Sequence, residues 1–219
     1  MTAVGQACLL IGAGLLAGCT GPFRPGDMVF LDLDCGSICD AMTRVTAEQL
    51  GVKGPPLSHV ALIVQGGSRP LAIEAWPGDG VVERPLAEIL ARVRGGEGQR
   101  HGYWTARLRP SLSIVGEAVA DTARRWRGLP YDDLFLPDEG RLYCSELVLR
   151  AYKTANAAVP FEWLPMRFGR PGTPERATWE RYYRARGRSV PEGLRGVSPL
   201  GLYLQSRGLC DVTPPEPRR

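Results

Sequence analysis

The stretch Leu142-Tyr-Cys-Ser-Glu-Leu-Val-Leu-Arg150 carries the decisive reading of this chain. Its apolar residues recur at helical spacing, which predicts a helix over Tyr143 to Ala155 with Cys144 in the first turn. From Cys144, helical steps reach Leu147, Val148 and Ala151, so the thiol shares the stripe that faces a core. A thiol at a helix N-terminus feels the positive end of the helix dipole, which favours thiolate. Free amides there can also receive an oxyanion. Taken alone, such a cysteine equally fits a small buried hydrophobe.

Two further runs bear on that choice. Leu57 to Val64, containing Ser58-His-Val-Ala-Leu-Ile-Val64, and Leu71-Ala-Ile-Glu-Ala-Trp76 are β-rich and flank Gly66-Gly67, a hairpin signal. An imidazole at the head of an apolar strand needs a partner. A hairpin turning symmetrically at the glycine pair sets His59 directly opposite Glu74, with Cβ atoms about 5 Å apart. The carboxylate can then orient the ring and stabilise its charge. A satisfied structural histidine and a solvent-facing Glu74 are the alternatives. A thiol, an imidazole and a carboxylate that orients it would require neither metal nor organic cofactor.

The rest of the chain reads outward from these runs. Gly26-Asp27 opens a strand at Met28 to Leu33, and Ile38 to Leu50 reads as a helix ending near Gly51. Gly80 to Arg84 is a short strand, Leu86 to Val93 a short helix, Gly95 to Gly98 a loop and Tyr103 to Leu108 a strand. Ser113 to Arg127 is an amphipathic helix that Gly128 can stop. Val159 to Arg195, rich in Arg, Pro and Gly, reads as an irregular cap. Ser198-Pro199 then caps a last helix through Gln205, and Pro214 to Arg219 fray. The order is that of an α+β fold, an antiparallel sheet packed against helices. Residues 27–158 form its core, and 159–219 add the cap and final helix of the same domain.

Composition agrees with one soluble domain. The 219 residues are 44% hydrophobic and 23% charged, with 27 basic against 23 acidic side chains. Arginine makes up 25 of the 27, but acids are interspersed throughout and no basic block alternates with aromatics. That excludes an evident nucleic-acid surface. No obligate protein partner is implied.

The N-terminus reads as an address. Residues 7–18 form an uncharged apolar run, too short to span about 30 Å of hydrocarbon but suited to a signal peptide. Its end, Leu16-Ala17-Gly18-Cys19, resembles the lipobox of bacterial lipoproteins, which implies a signal peptide over 1–18, a lipid on Cys19 and a tether over 19–26. One departure is the absence of Lys or Arg from Met1 to Ala7. The expected location is the cell envelope on the periplasmic face; Thr20, which is not Asp, favours the outer membrane. Of six cysteines, Cys8 leaves with the signal, Cys19 takes the lipid and Cys144 is the thiol, so Cys35, Cys39 and Cys210 allow one disulfide at most. Cys35 and Cys39 are the candidate pair. Two histidines, His59 and His101, with no second cysteine pair make a zinc site a poor fit.

The order of a strand with SHV, a strand with IEA and a YCSELV helix resembles the circularly permuted papain-like hydrolases of the YaeF/YiiX type, relatives of the NlpC cell-wall peptidases and of lecithin:retinol acyltransferase-like enzymes. The opening GDMVFLDLDCGSICDAMTRVT is similar to that family's start, and the resemblance runs from about Gly26 to Tyr152. It implies Cys144 as nucleophile, His59 as base and Glu74 as the third group, with His preceding Cys as the permutation requires. Weaker features surround these. Asp32, Asp34 and Asp40 can bind a substrate amine or form a solvated loop. Tyr131 and Trp76 can line a cleft or pack in the core. The Arg-rich segment 167–195 can meet anionic lipid or simply be solvated.

Three functions follow. The first is an amidase or peptidase, with a cell-wall peptide as substrate, which expects a polar groove with paired acids. The second is a lipid acyl hydrolase or acyltransferase, which expects an apolar channel beside Cys144. The third is an idle envelope binding protein on the same fold.

Overall fold

The computed structural model describes residues 22–33, 35–93, 102–109, 113–137, 140–156, 159, 161–207 and 210–213. The signal segment 1–18, Cys19, Asp34, the Gly95–Gly98 loop and the Pro214–Arg219 tail lie outside the described residues.

Strands β1 (Met28–Leu31), β2 (His59–Gln65), β3 (Leu71–Trp76), β4 (Gly80–Pro85), β5 (Tyr103–Leu108) and β8 (Cys210–Thr213) form one antiparallel sheet in the order β4-β3-β2-β1-β5-β8. Its central strands are buried on both sides, as their near-continuous apolar sequences require. One face carries Met28, Phe30, Val60, Leu62 and Ile73. It packs against α3 (Ser113–Arg124), through Val119 and Ala123, and α4 (Cys144–Ala155), through Leu147, Val148 and Ala151. The other face carries Val29, Leu31, Ala61, Ile63 and Ala72. The short helix α2 (Leu86–Leu90) and the 3-10 turn Ala91–Val93 cover it through Leu86, Ile89 and Val93. This is the expected α+β arrangement. Among the described residues no helix is long and apolar enough to cross a membrane.

Helix α1 (Ser37–Leu50) ends where the sequence indicates, with Gly51 left-handed at φ 62°. Helix α3 stops at Arg124, one turn short of the expected Arg127, and the chain turns through Gly128 at φ 85°. The segment read as an irregular cap is more ordered than its composition suggests. It holds α5 (Pro174–Arg184) and a two-stranded ribbon of β6 (Leu164–Pro165) and β7 (Arg195–Gly196). Thr173 caps α5 by accepting from Arg176 N at 3.2 Å, and Pro174 opens the first turn. Its aromatic residues Trp179 and Tyr183 are buried with Phe168 against Ala41 of α1. Helix α6 (Pro199–Ser206) starts at the expected cap, where Ser198 Oγ accepts from Gly201 N at 3.0 Å. The edge strand β8 was not expected, because four residues near a polar tail give little periodicity to read.

The β2–β3 register also differs from the symmetric hairpin. Leu62 pairs with Ile73 and Ile63 with Ala72, with an irregularity before Gln65 pairs with Leu71. Continuing that ladder sets Glu74 against Ala61 rather than His59. Gly66 serves the approach of another segment: a Cβ there would sit 2.1 Å from Phe23 O. The turn is displaced toward Ser68 and Arg69, ahead of Pro70. A shift of two residues keeps every side chain on its face, so His59 and Glu74 remain neighbours, diagonally.

Candidate active site

Helix α4 begins at Cys144 with Tyr143 as N-cap residue, its backbone extended at φ −97°, ψ 170°. The first internal bond of the helix runs from Leu147 N to Tyr143 O at 2.9 Å, so the amides of Cys144, Ser145 and Glu146 are not used within the helix. Cys144 is a buried free thiol. The backbone amides of Ser145 and Val60 both hydrogen-bond its sulfur.

His59 heads β2 with its ring buried, and reaches Cys144 around the end of the sheet. Its Nε2–H donates to Glu74 Oε2 at 2.7 Å, which leaves Nδ1 for the thiol. Trp76 meets the imidazole edge-to-face with centroids 5.2 Å apart. Glu74 is fully buried and collects three cationic partners. Arg92 Nη1 donates to Oε1 at 2.7 Å and to Oε2 at 2.9 Å, and Arg84 Nε donates to Oε1 at 3.2 Å. Arg92 also lies over the Trp76 ring at 3.9 Å.

The electrostatics follow from this packing. Burial opposes the imidazolium of His59, but the Cys144 thiolate and then Glu74 outweigh it and raise its pKa to about 9. Burial likewise opposes the thiolate of Cys144, and the imidazolium charge and hydrogen bond, with the two amides, lower its pKa below the ordinary thiol value. Glu74 is held low in the same way, burial being outweighed by His59 and Arg92. The arrangement favours an ion pair of thiolate and imidazolium backed by an ionised carboxylate.

Cys144 opens into a cavity of about 350 Å³ bounded by α1, the 131–135 loop, α5, the β6–β7 ribbon and the start of α6. Tyr131 and Trp76, marked by sequence as cleft residues, line it. Cys35 and Cys39 are disulfide-bonded, with Cα atoms 5.5 Å apart, and line its α1 wall. Of the aspartates near them, Asp40 is exposed and faces Arg44 at 3.9 Å, and Asp34 lies outside the described residues.

The sequence reading missed Arg84, Arg92 and Glu146. Nothing in an isolated arginine of a 3-10 turn marks it as a partner for a carboxylate two strands away. Glu146 did carry a signal, since it stands three residues after the N-cap, the glutamate position of a capping box. It is fully buried. Arg150 donates Nε–H to its Oε1 at 2.9 Å, and the Tyr143 amide faces the same carboxyl, while Oε2 has no partner among the described residues.

A thiol at a helix N-terminus, a histidine on the first strand of a neighbouring hairpin and a sheet-and-helix core with His preceding Cys define a class, the permuted papain-like cysteine hydrolases. The chain belongs to the permuted papain-like amidase family, YaeF/YiiX, C92, whose model matches residues 23–163. It is 32% identical over 99 residues to the uncharacterized protein YiiX of Escherichia coli strain K12. That match covers 45% of this chain and 46% of the relative, so the chain spans about half the length of the curated relative it matches. In fold it is similar to a crystal structure described as metalloprotein yiiX from Escherichia coli O157:H7, DUF1105. The TM-score is 0.66 at 24% identity, covering 89% of this chain and 97% of that one.

Proposed function

We propose that the chain hydrolyses an amide bond through Cys144, His59 and Glu74. The observation that carries this reading is the His59 imidazole, held by Glu74 at 2.7 Å on Nε2 and facing a thiol at the start of α4 on its other nitrogen. The thiolate attacks the carbonyl carbon, and the amides at the α4 start, that of Cys144 among them, receive the developing oxyanion. As the C–N bond breaks, imidazolium gives its Nδ1 proton to the leaving amine and an acyl thioester remains on Cys144. His59, now neutral, takes a proton from water. The resulting hydroxide attacks the thioester, and the C–S bond breaks to release the acid and restore the ion pair.

Two further parts of this reading rest on sequence. Lipidation at Cys19 would place the domain at the cell envelope, on the periplasmic face. A cell-wall peptide calls for a groove with paired acids, whereas Asp133 is the single acid among the described residues lining the cavity. That favours a less polar substrate. The description of the similar structure as a metalloprotein finds no matching donor set here: among the described residues no group of three or more His, Cys, Asp or Glu could hold a metal ion. No step here runs through one.

The test is turnover of model anilides by wild type, Cys144→Ala and His59→Ala, with mass spectrometry of rapidly quenched enzyme. The expected result is an acyl adduct on Cys144 and loss of turnover in both variants. Undiminished hydrolysis by Cys144→Ala would refute the assignment.

A further inference from the structure

The arginines around α5 fall into two groups. On the side toward α1 they are neutralised: Arg176 pairs with Glu180 and Glu192 at 2.9 Å, Arg167 with Glu192 at 3.5 Å and Arg170 with Glu48. Past the C-terminal end of α5 they are not. Arg186 and Arg188 are exposed and have no carboxylate partner among the described residues, and the same holds for Arg141. These three line one open groove, in which Asp133 is the exposed carboxylate. Asp132 borders it too, but is buried and accepts from Leu134 N at 2.9 Å and Leu136 N at 2.7 Å. The dipole of α5 accounts for two cations at its end. It does not account for Arg141, which comes from the segment entering α4, three residues ahead of Cys144. Guanidinium groups drawn from two segments to one groove repel one another, and a bound anion relieves that repulsion.

The groove is built before any ligand arrives. Tyr182 Oη donates to Asp133 O and Tyr183 Oη to Leu134 O, each at 2.9 Å, tying α5 to the 131–136 loop. The amides of Arg186 and Arg188 both donate to Tyr183 O, at 2.9 and 3.0 Å, with Gly187 between them at φ 66°. Arg186 lies over the Tyr182 ring, its Cζ 3.5 Å from the centroid, and its Nη1 donates to Tyr182 O at 3.0 Å. A stacked guanidinium is held in one plane with donors to spare, the form in which arginine grips a carboxylate or phosphate. Arg141 Nη1 reaches Tyr131 O at 3.5 Å. Asp133 and Arg186 also line the cavity at Cys144, so groove and cavity meet at these two residues.

We propose that this groove is an anion subsite of the active site, in which Arg141, Arg186 and Arg188 take a carboxylate or phosphate group carried by the amide substrate. This deepens the thiol-hydrolase reading and rests on it for the reaction, though not for the binding of the anion. The charge holds the substrate by an end remote from the scissile bond, while the carbonyl lies at Cys144.

The test reads binding and turnover apart, in the full chain. Calorimetry titrates inorganic phosphate into Cys144→Ala, and into the same protein carrying Arg141→Gln, Arg188→Gln or both. Affinity should fall about threefold for each guanidinium lost and about tenfold for the pair, the scale of exposed ion pairs, and should weaken as sodium chloride is raised. Arg170→Gln, which removes a cation already paired with Glu48, should change it little. Absence of phosphate binding, or equal weakening by Arg170→Gln, overturns the subsite. So does sedimentation with phosphatidylglycerol vesicles without phosphate binding, which marks a membrane face instead. In wild type, 4-nitroanilides with a carboxylate on the acyl group or on the ring are compared with their neutral carboxamides. At least one anionic member should show the higher kcat/KM, and the double arginine variant should cut that preference about tenfold. Equal kcat/KM within both pairs overturns the link to the active site. Absence of turnover with every anilide counts against the hydrolase reading, while phosphate binding still decides the anion site.

Discussion

Two fully buried carboxylates flank the reacting pair, and they end in opposite states. Glu74, on β3, meets His59, Arg92 and Arg84, and its pKa is lowered despite burial. Glu146, in the first turn of α4, has burial opposed by Arg150 and the Tyr143 amide, with Asp132 adding repulsion. Its pKa rises to about 7. Burial pushes both the same way, so the donors decide the sign. On one side of Cys144 the fold keeps a permanent anion to charge His59. On the other it keeps a carboxyl that is half neutral at neutral pH, held against the helix start.

The comparison is broken most severely at Glu74. Glu74→Gln removes the charge that favours imidazolium, takes the anion from Arg92 and leaves Arg84 with Asp79. Activity should fall by roughly 10²–10⁴-fold, by analogy with loss of the third group in a triad. Stability should fall by about 3–5 kcal/mol, as when a buried ion pair loses one partner. Turnover and urea denaturation check the two parts.

Glu146→Gln should act in the opposite sense. A carboxyl whose folded pKa lies above its unfolded value of 4.5 makes the protein most stable below that value, where both states are protonated. As pH rises, the unfolded chain ionises first, so stability declines until the folded group titrates near 7. The wild type should thus lose about 2–3 kcal/mol over that window from this group, and Glu146→Gln should not. Denaturation midpoints at pH 5 and pH 8 in both proteins measure the difference.

Smaller changes sharpen the contrast. Arg92→Met takes away the bidentate partner of Glu74, weakening its hold on imidazolium. Activity at pH 8 should drop about tenfold, roughly 1.4 kcal/mol of barrier, and the alkaline limb should move below the wild-type value near 9, with partial recovery in Arg92→Lys. Tyr143→Phe strips the acceptor from Val197 N, which Ser145 Oγ also anchors by donating to Val197 O at 2.7 Å. It should cost about 1 kcal/mol and loosen the cavity wall, visible as faster amide exchange at Val197.

The parts of this arrangement that sequence revealed are those carried by periodicity. Cys144 declared itself through the helical stripe of Leu147, Val148 and Ala151, and His59 through its place in an apolar strand. Their pairing with Glu74 survived a wrong register because strands preserve faces under a shift of two. The arginines around Glu74 were not legible, since their role depends on the 3-10 turn folding back over β3. The cap was misread because Arg, Pro and Gly dominate its composition, although Thr173-Pro174 followed by Glu175 is a helix start. The cavity was out of reach for the same reason: it joins α1, the 131–135 loop and α5, three segments whose proximity no local pattern encodes.

The account turns on the ion pair between Cys144 and His59. Its most direct test is the pH dependence of Cys144 alkylation in wild type and His59→Ala. The account predicts that wild-type reactivity persists well below the ordinary thiol value near 8.5 and that His59→Ala shifts it above that value, because burial then outweighs the two amides that remain. Titration near 8.5 in both proteins would contradict it.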